Sequence, residues 1–275
     1  LNNHMFCYDE LSLSIFSSLH LHLFSTSAPV LLYYSHLTAI IVSLSLSFFI
    51  LLNTKALPAR ILAIMSLIFS ALAVLDILLW TQIDSRIIMF LWSFWPFLFI
   101  TIYVLSLYFL HAFISKKDAG FGWKLGAFVL LLAVLALSAS PYIFEGFDLY
   151  NCNAVESFWA WQSFYGTSFI IFLTAVVYGV ISIARLKEKV QRRQALLATI
   201  GIACFLFFFS AAAYVATIAN LLGSEPDIFR LEQYGYFGMA IFIAFLTYTI
   251  VEYKAFNVKL IAAQALVAAL VILIG

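Results

Sequence analysis

Ionisable side chains are scarce inside the apolar stretches of this chain, so the few that occur there mark where chemistry would be found. A charge in hydrocarbon costs several kcal/mol, which makes each one a functional candidate by default. Asp76 lies about one turn before Trp80, near the end of the second apolar stretch. It either anchors that helix end, reaching headgroup water or pairing with Arg86 across the short turn 81–85, or binds a ligand or a proton. His36, beside Tyr33 and Tyr34, reads as a polar tip near the interface. The alternative for His36 is pH sensing, since imidazole titrates in the middle of the pH range. His111 reads as a side chain snorkelling toward the opposite interface. Asp76, Trp80, Asp84, Trp92 and Trp95 form the set of ligand-sensing candidates. Together they make either an outward cup for a small apolar or cationic ligand, held by ring faces and carboxylates, or a plain interfacial aromatic belt.

Other chemistries find no residues. The phosphate loop G-x-x-x-x-G-K-[ST], the zinc motif H-E-x-x-H and the nucleophile elbow G-x-S-x-G are absent, and Gly120, Gly122 and Gly126 do not spell G-x-G-x-x-G. Cys7, Cys152 and Cys204 have no metal-type spacing. No catalytic residue, metal or cofactor is expected.

The elements that must hold these side chains follow from composition. Of 275 residues, 65% are hydrophobic, 18% aromatic and 10% charged, with a mean hydropathy of +1.08. A soluble domain carries about 25% charged residues; a chain this poor in charge would expose large apolar patches in water. A soluble enzyme is excluded, and the formal net charge of +1 offers no field to gather nucleic acid. An all-α, polytopic membrane helix bundle is expected, with the lipid bilayer as its first partner.

A helix needs about 20 apolar residues to cross the hydrocarbon core, where its backbone must satisfy itself. Seven stretches meet that need: 31–52, 61–80, 87–114, 125–143, 161–184, 195–222 and 234–251. An eighth, 260–275, begins and is cut off, and residues 1–29 read as an extramembrane leader. Of the 14 Lys and Arg, all but Arg86 and Arg230 fall in the loops after spans one, three, five and seven. Basic residues stay on the cytoplasmic side, so the N-terminus is expected outside. Five of the six Trp lie near outer span ends, and Trp123 lies at an inner one. Pro96 reads as a kink or hinge in span three, and Gly122 with Gly126 as a close-approach G-x-x-x-G. A transporter would show broken helices in paired repeats; with 11 Gly and no visible repeat, that reading is disfavoured.

The stretch Tyr248-Thr-Ile-Val-Glu-Tyr-Lys-Ala-Phe-Asn-Val-Lys259 follows an aromatic span opened by Tyr234-Gly-Tyr-Phe-Gly238. It resembles the inner end of the last helix in the seven-transmembrane sensor regions of bacterial histidine kinases, where the pattern Y-x-I-V-[KR]-Y-[RK]-x-F-[DN]-[IV]-[KR] is typical. Arg193-Gln-Ala-Leu-Leu-Ala-Thr-Ile-Gly201 is similar to that family's start of span six. Glu252 departs from the pattern, standing where a basic residue is usual, and Asn257 stands where Asp is commoner. The resemblance covers residues 31–275. It implies a sensory input module of a two-component system in the cytoplasmic membrane, with signal output through Glu252, Tyr253, Lys254, Phe256, Asn257 and Lys259. It further implies a homodimer, a cytoplasmic kinase domain in a full-length form, and a response regulator. No histidine follows His111, so the phosphoacceptor and ATP-binding domain are absent from this chain and it is not itself an enzyme. The alternative is a transporter-like or partner-binding membrane protein without kinase output.

Overall fold

The computed structural model describes residues 28–82, 84–148, 153–221, 233–239 and 241–243. The main elements in chain order are α1 (Val30–Asn53), α2 (Leu57–Thr81), α3 (Ser85–Ser115), α4 (Phe121–Ser138), β1 (Phe144–Asp148), β2 (Asn153–Glu156), α5 (Phe158–Arg185) and α6 (Lys189–Leu221). Six of these helices are long and apolar enough to cross a membrane. Residues 233–235, 237–239 and 241–243 add helical turns at the start of the expected seventh span. The expected eighth span, the leader up to residue 27, and the output candidates Glu252, Tyr253, Lys254, Phe256, Asn257 and Lys259 lie outside the described residues.

Local chemistry sets the helix ends. Pro58 occupies the first turn of α2, where its missing N–H breaks no helical hydrogen bond. The Asp84 carboxylate accepts from the N–H groups of Arg86 at 2.8 Å and Ile87 at 3.4 Å, capping α3. Lys116, at φ 57°, turns the chain left-handed where α3 stops. Pro96 is buried and α3 runs unbroken through it.

Span four is displaced from its expected position. The helix covers Phe121–Ser138 rather than 125–143. Gly122 and Gly126 do not delay it, because in hydrocarbon a helix is the only way to satisfy their backbone. Pro141 disfavours helical geometry in the residue before it, and α4 ends ahead of it.

The helical bundle carries one short β-hairpin among the described residues, in the loop before α5. There β1 and β2 pair antiparallel, Phe144 opposite Glu156 and Asp148 opposite Asn153, with a bulge between Phe144 and Gly146. β2 packs on α3, Phe144 and Phe147 of β1 are half-buried, and the two strands pair each other's backbone.

Helix α3 is the hub. It touches α2, α4, α5 and α6 as well as β2. Around it Phe69, Phe99, Tyr103, Phe109, Phe205 and Phe242 are almost wholly buried. Helices α1 and α2 approach along small residues: Ala39, Ser43 and Ser47 face Ala63, Ser66 and Ser70, all buried. The hydroxyls of Ser43 and Ser70 are 2.7 Å apart, and Ser47 donates to the Ala63 carbonyl at 3.0 Å. Such close seams are how membrane helices associate when lipid is as apolar as they are.

Candidate functional site

The α1–α2 seam carries an ionisable pair at the end nearest the start of α1. His36 is entered after about a turn and a half of α1, and Asp76 lies a similar depth from the end of α2. The two antiparallel helices thereby set them level. His36 Nε2 lies 2.6 Å from Asp76 Oδ2, with His36 at 0% exposure and Asp76 at 4%. The other ring nitrogen, Nδ1, lies 2.9 Å from the Leu32 carbonyl and 2.9 Å from the Ser35 hydroxyl. The Tyr236 ring packs on the imidazole, with centroids 3.8 Å apart and planes inclined by 36°. Tyr236 itself rests on Phe69 at 5.6 Å and Phe209 at 6.0 Å.

A carbonyl oxygen only accepts, so the Leu32 oxygen takes a hydrogen either from Nδ1 or from the Ser35 hydroxyl, which lies 3.1 Å from it and can instead donate to Nδ1. A proton between Nε2 and Oδ2 joins the two groups. Pairing lowers the cost of holding them away from water. A proton held between two buried groups is a centre whose state a neighbouring ring, a ligand or an entering proton can bias.

Asp76 thus meets a partner 40 residues away on α1, in place of the headgroup water or Arg86 that the sequence offered. Nor is His36 a polar tip at the interface. The remaining sensing candidates fall elsewhere. Trp80 is half-buried at the end of α2. Asp84 spends its carboxylate on the α3 cap. Trp92 and Trp95 join an aromatic cluster beneath the hairpin, where Trp161 lies 6.1 Å from Trp92 and 5.6 Å from Trp95, and Trp95 stacks on Phe99 at 4.5 Å; Phe99 in turn lies 5.2 Å from Phe209, which packs on Tyr236.

Three participants were not among the sequence candidates. Tyr236 gave no signal beyond its place in an aromatic run. Trp161, buried in the cluster, looked like one more belt residue. Glu156, on β2, accepts a hydrogen bond from Trp92 Nε1 at 3.2 Å. Burial pushes the Glu156 carboxyl up to about 8, against a smaller downward pull from the Trp92 indole. At the other end of the bundle, His111 Nδ1 and the Tyr178 hydroxyl are 3.0 Å apart, joining α3 to α5.

Glu156 yields a pH prediction. The docked hairpin binds the Glu156 proton more tightly than a released one, whose carboxyl would return to its ordinary value of 4.5. Docking is therefore at full strength below 4.5 and weakens as pH rises through 8. Backbone hydrogen exchange of residues 144–156, corrected for intrinsic rates, is expected to be faster at about pH 9 than at about pH 5. Glu156→Gln, neutral at both, should remove the difference. Equal protection of the wild-type hairpin at both pH values would defeat the prediction.

These features define a class: a multi-pass α-helical membrane bundle with a buried His–Asp pair in its helix seam. No known family model, curated protein or solved structure matches the chain. Among the described residues no group of three or more His, Cys, Asp or Glu is arranged to hold a metal ion.

Proposed function

We propose that this chain is the membrane-embedded sensory input module of a two-component histidine kinase whose kinase core belongs to a longer form. The observation that carries the reading is the contact of Tyr236 with His36. Tyr236 precedes the motif 248–259 by a dozen residues, so the buried His36–Asp76 pair is packed on the segment that leads to the output candidates. A stimulus that changes how His36 and Asp76 share their proton changes what Tyr236 rests on. Signal then passes as a small rotation or shift of that segment, and a stimulus biases it only by binding the two arrangements differently. The residue assignments follow: Asp76 and His36 read the stimulus, Tyr236 transmits it, and Glu252 to Lys259 deliver it to the cytoplasmic side, with the N-terminus outside.

Sequencing the transcript beyond residue 275, followed by phosphorylation of membranes with labelled ATP, tests the reading. The frame is expected to continue into a histidine phosphoacceptor and Gly-rich ATP boxes, and the product to label itself. Tyr236→Ala is expected to change that labelling under every stimulus that moves the wild type. A frame without those boxes, together with solute accumulation by vesicles holding the chain, would replace the reading with transport.

A further inference from the structure

Away from the α1–α2 seam the bundle carries an apolar groove. It lies between α3, α4 and α5, has a volume of about 250 Å³, and is lined by Val104 and Leu107 of α3, Trp123, Gly126 and Leu130 of α4, and Ile171 of α5. The lining is apolar throughout. It exists because α4 leans on α3 while leaving most of its own surface uncovered: Phe121, Leu125, Phe128, Val129 and Leu132 are all exposed. At Gly126 an added Cβ would meet nothing within 4 Å, so no neighbouring helix fills the space that this glycine leaves.

Along α4 the groove runs from Trp123 to Leu130, about 10 Å. An extended hydrocarbon chain is slim enough to enter. Trp123 marks the polar end of the groove. Its ring packs on Tyr108 at 5.0 Å; the Tyr108 hydroxyl donates to Asp118, and Lys124 Nζ donates to the same carboxylate at 2.6 Å. Three lysines, Lys116, Lys117 and Lys124, stand on this short stretch against the single Asp118. The polar end therefore carries net positive charge, with Lys116 lying over the Phe113 ring at 4.4 Å and Lys117 exposed.

We propose that this groove binds one acyl chain of an anionic glycerophospholipid, drawn from the leaflet at the basic end of the bundle, with the phosphate headgroup beside Lys116 and Lys117. Basic clusters at a helix boundary favour acidic headgroups in this way. The site fixes α4 against α3 and α5, so the lipid acts as a structural ligand of the bundle. It stands apart from the signalling reading, since neither the ligand nor the test involves kinase output.

Tryptophan quenching by phospholipids brominated on their acyl chains tests it in reconstituted full-length chain. The difference between wild type and Trp123→Phe isolates the contribution of Trp123. That component is expected to favour brominated phosphatidylglycerol over brominated phosphatidylcholine by about fivefold for each lysine engaged. Lys116→Gln with Lys117→Gln should bring the ratio to about one while the chain still quenches. Gly126→Leu, which the open space tolerates, should abolish the Trp123 component and leave the circular dichroism unchanged. Equal quenching by both lipids in the wild type would mean unselective boundary lipid and overturn the proposal. So would quenching indifferent to Gly126→Leu. Cross-linking of two copies through Gly126→Cys at stoichiometric yield would assign the groove to a second copy instead.

Discussion

Truncating Asp76 to Ala is expected to destabilise the bundle by about 3–5 kcal/mol, the cost typical of removing one member of a buried ion pair. His36 would be left at 0% exposure with Nε2 unpaired, while Nδ1 keeps its Leu32 and Ser35 contacts. The expected remedy is not to restore a polar group but to remove the other one. His36→Leu combined with Asp76→Leu replaces the pair by side chains of comparable bulk, and such replacements are often neutral or stabilising. Unfolding of the purified protein in mixed detergent is expected to rank the double variant level with the wild type and Asp76→Ala far below both. This separates two roles a buried pair can have. If it only holds α1 to α2, the Leu pair serves as well in every respect. If it carries the sensed proton, the Leu pair folds and is silent. A stability loss below about 1 kcal/mol for Asp76→Ala would show that the pair is not isolated from water as the seam places it.

How much of this was legible in advance depends on the range of the contact. Spans one, two, three and five stand within a few residues of their helices, because about 20 apolar residues bounded by Pro58, Asp84 or a basic cluster admit little else. The cap at Asp84 is a local event, two and three residues long. The hairpin was missed because Gly146 and the acidic residues around it read as loop, while its pairing is stabilised by what lies beneath, chiefly Trp92 and Trp161. The His36–Asp76 pair spans 40 residues, and the nearer Arg86 was the natural partner when only chain distance was visible. A signal was nevertheless present. His36, Ala39, Ser43 and Ser47 recur at three- and four-residue spacing, as do Ala59, Ala63, Ser66, Ser70 and Ala73. Two small-residue stripes on consecutive helices predict a seam, and each stripe, extended toward the first turns of α1, ends at His36 or Asp76. Nothing of that kind announces Tyr236, whose place against His36 is decided by packing alone.

The opposite end of the bundle carries the second large effect. Gly179 of α5 faces Thr199 of α6 so closely that an added Cβ would lie 2.4 Å from Thr199 Cγ2 and 2.7 Å from its Oγ1. Thr199 has little room to give way, since it is β-branched and its hydroxyl donates to the Ala195 carbonyl at 2.7 Å. Gly179→Ala is therefore expected to force α5 and α6 apart and to cost about 1–3 kcal/mol, as overpacking does. It should do so despite alanine's better helix propensity, which alone would favour the variant by about 0.5–1 kcal/mol. Thr199→Ala in the same chain removes both clashing atoms, leaving only Cβ at 3.1 Å, and should recover most of the loss. A double-mutant cycle in detergent unfolding is expected to give a coupling of about 1–3 kcal/mol, while Gly122→Ala, with nothing within 4 Å, gains stability. Additive effects of the two substitutions would mean that the helices do not meet here. The contact matters beyond stability because α6 also carries Phe205 and Phe209. Phe209 packs on Tyr236 at 6.0 Å and Phe205 stacks on Phe242 at 5.7 Å. Displacing α6 at Gly179 therefore tilts the support of the segment that rests on His36. On the proposed reading, Gly179→Ala should shift output even though it touches no stimulus-binding residue, and Thr199→Ala should restore output together with stability.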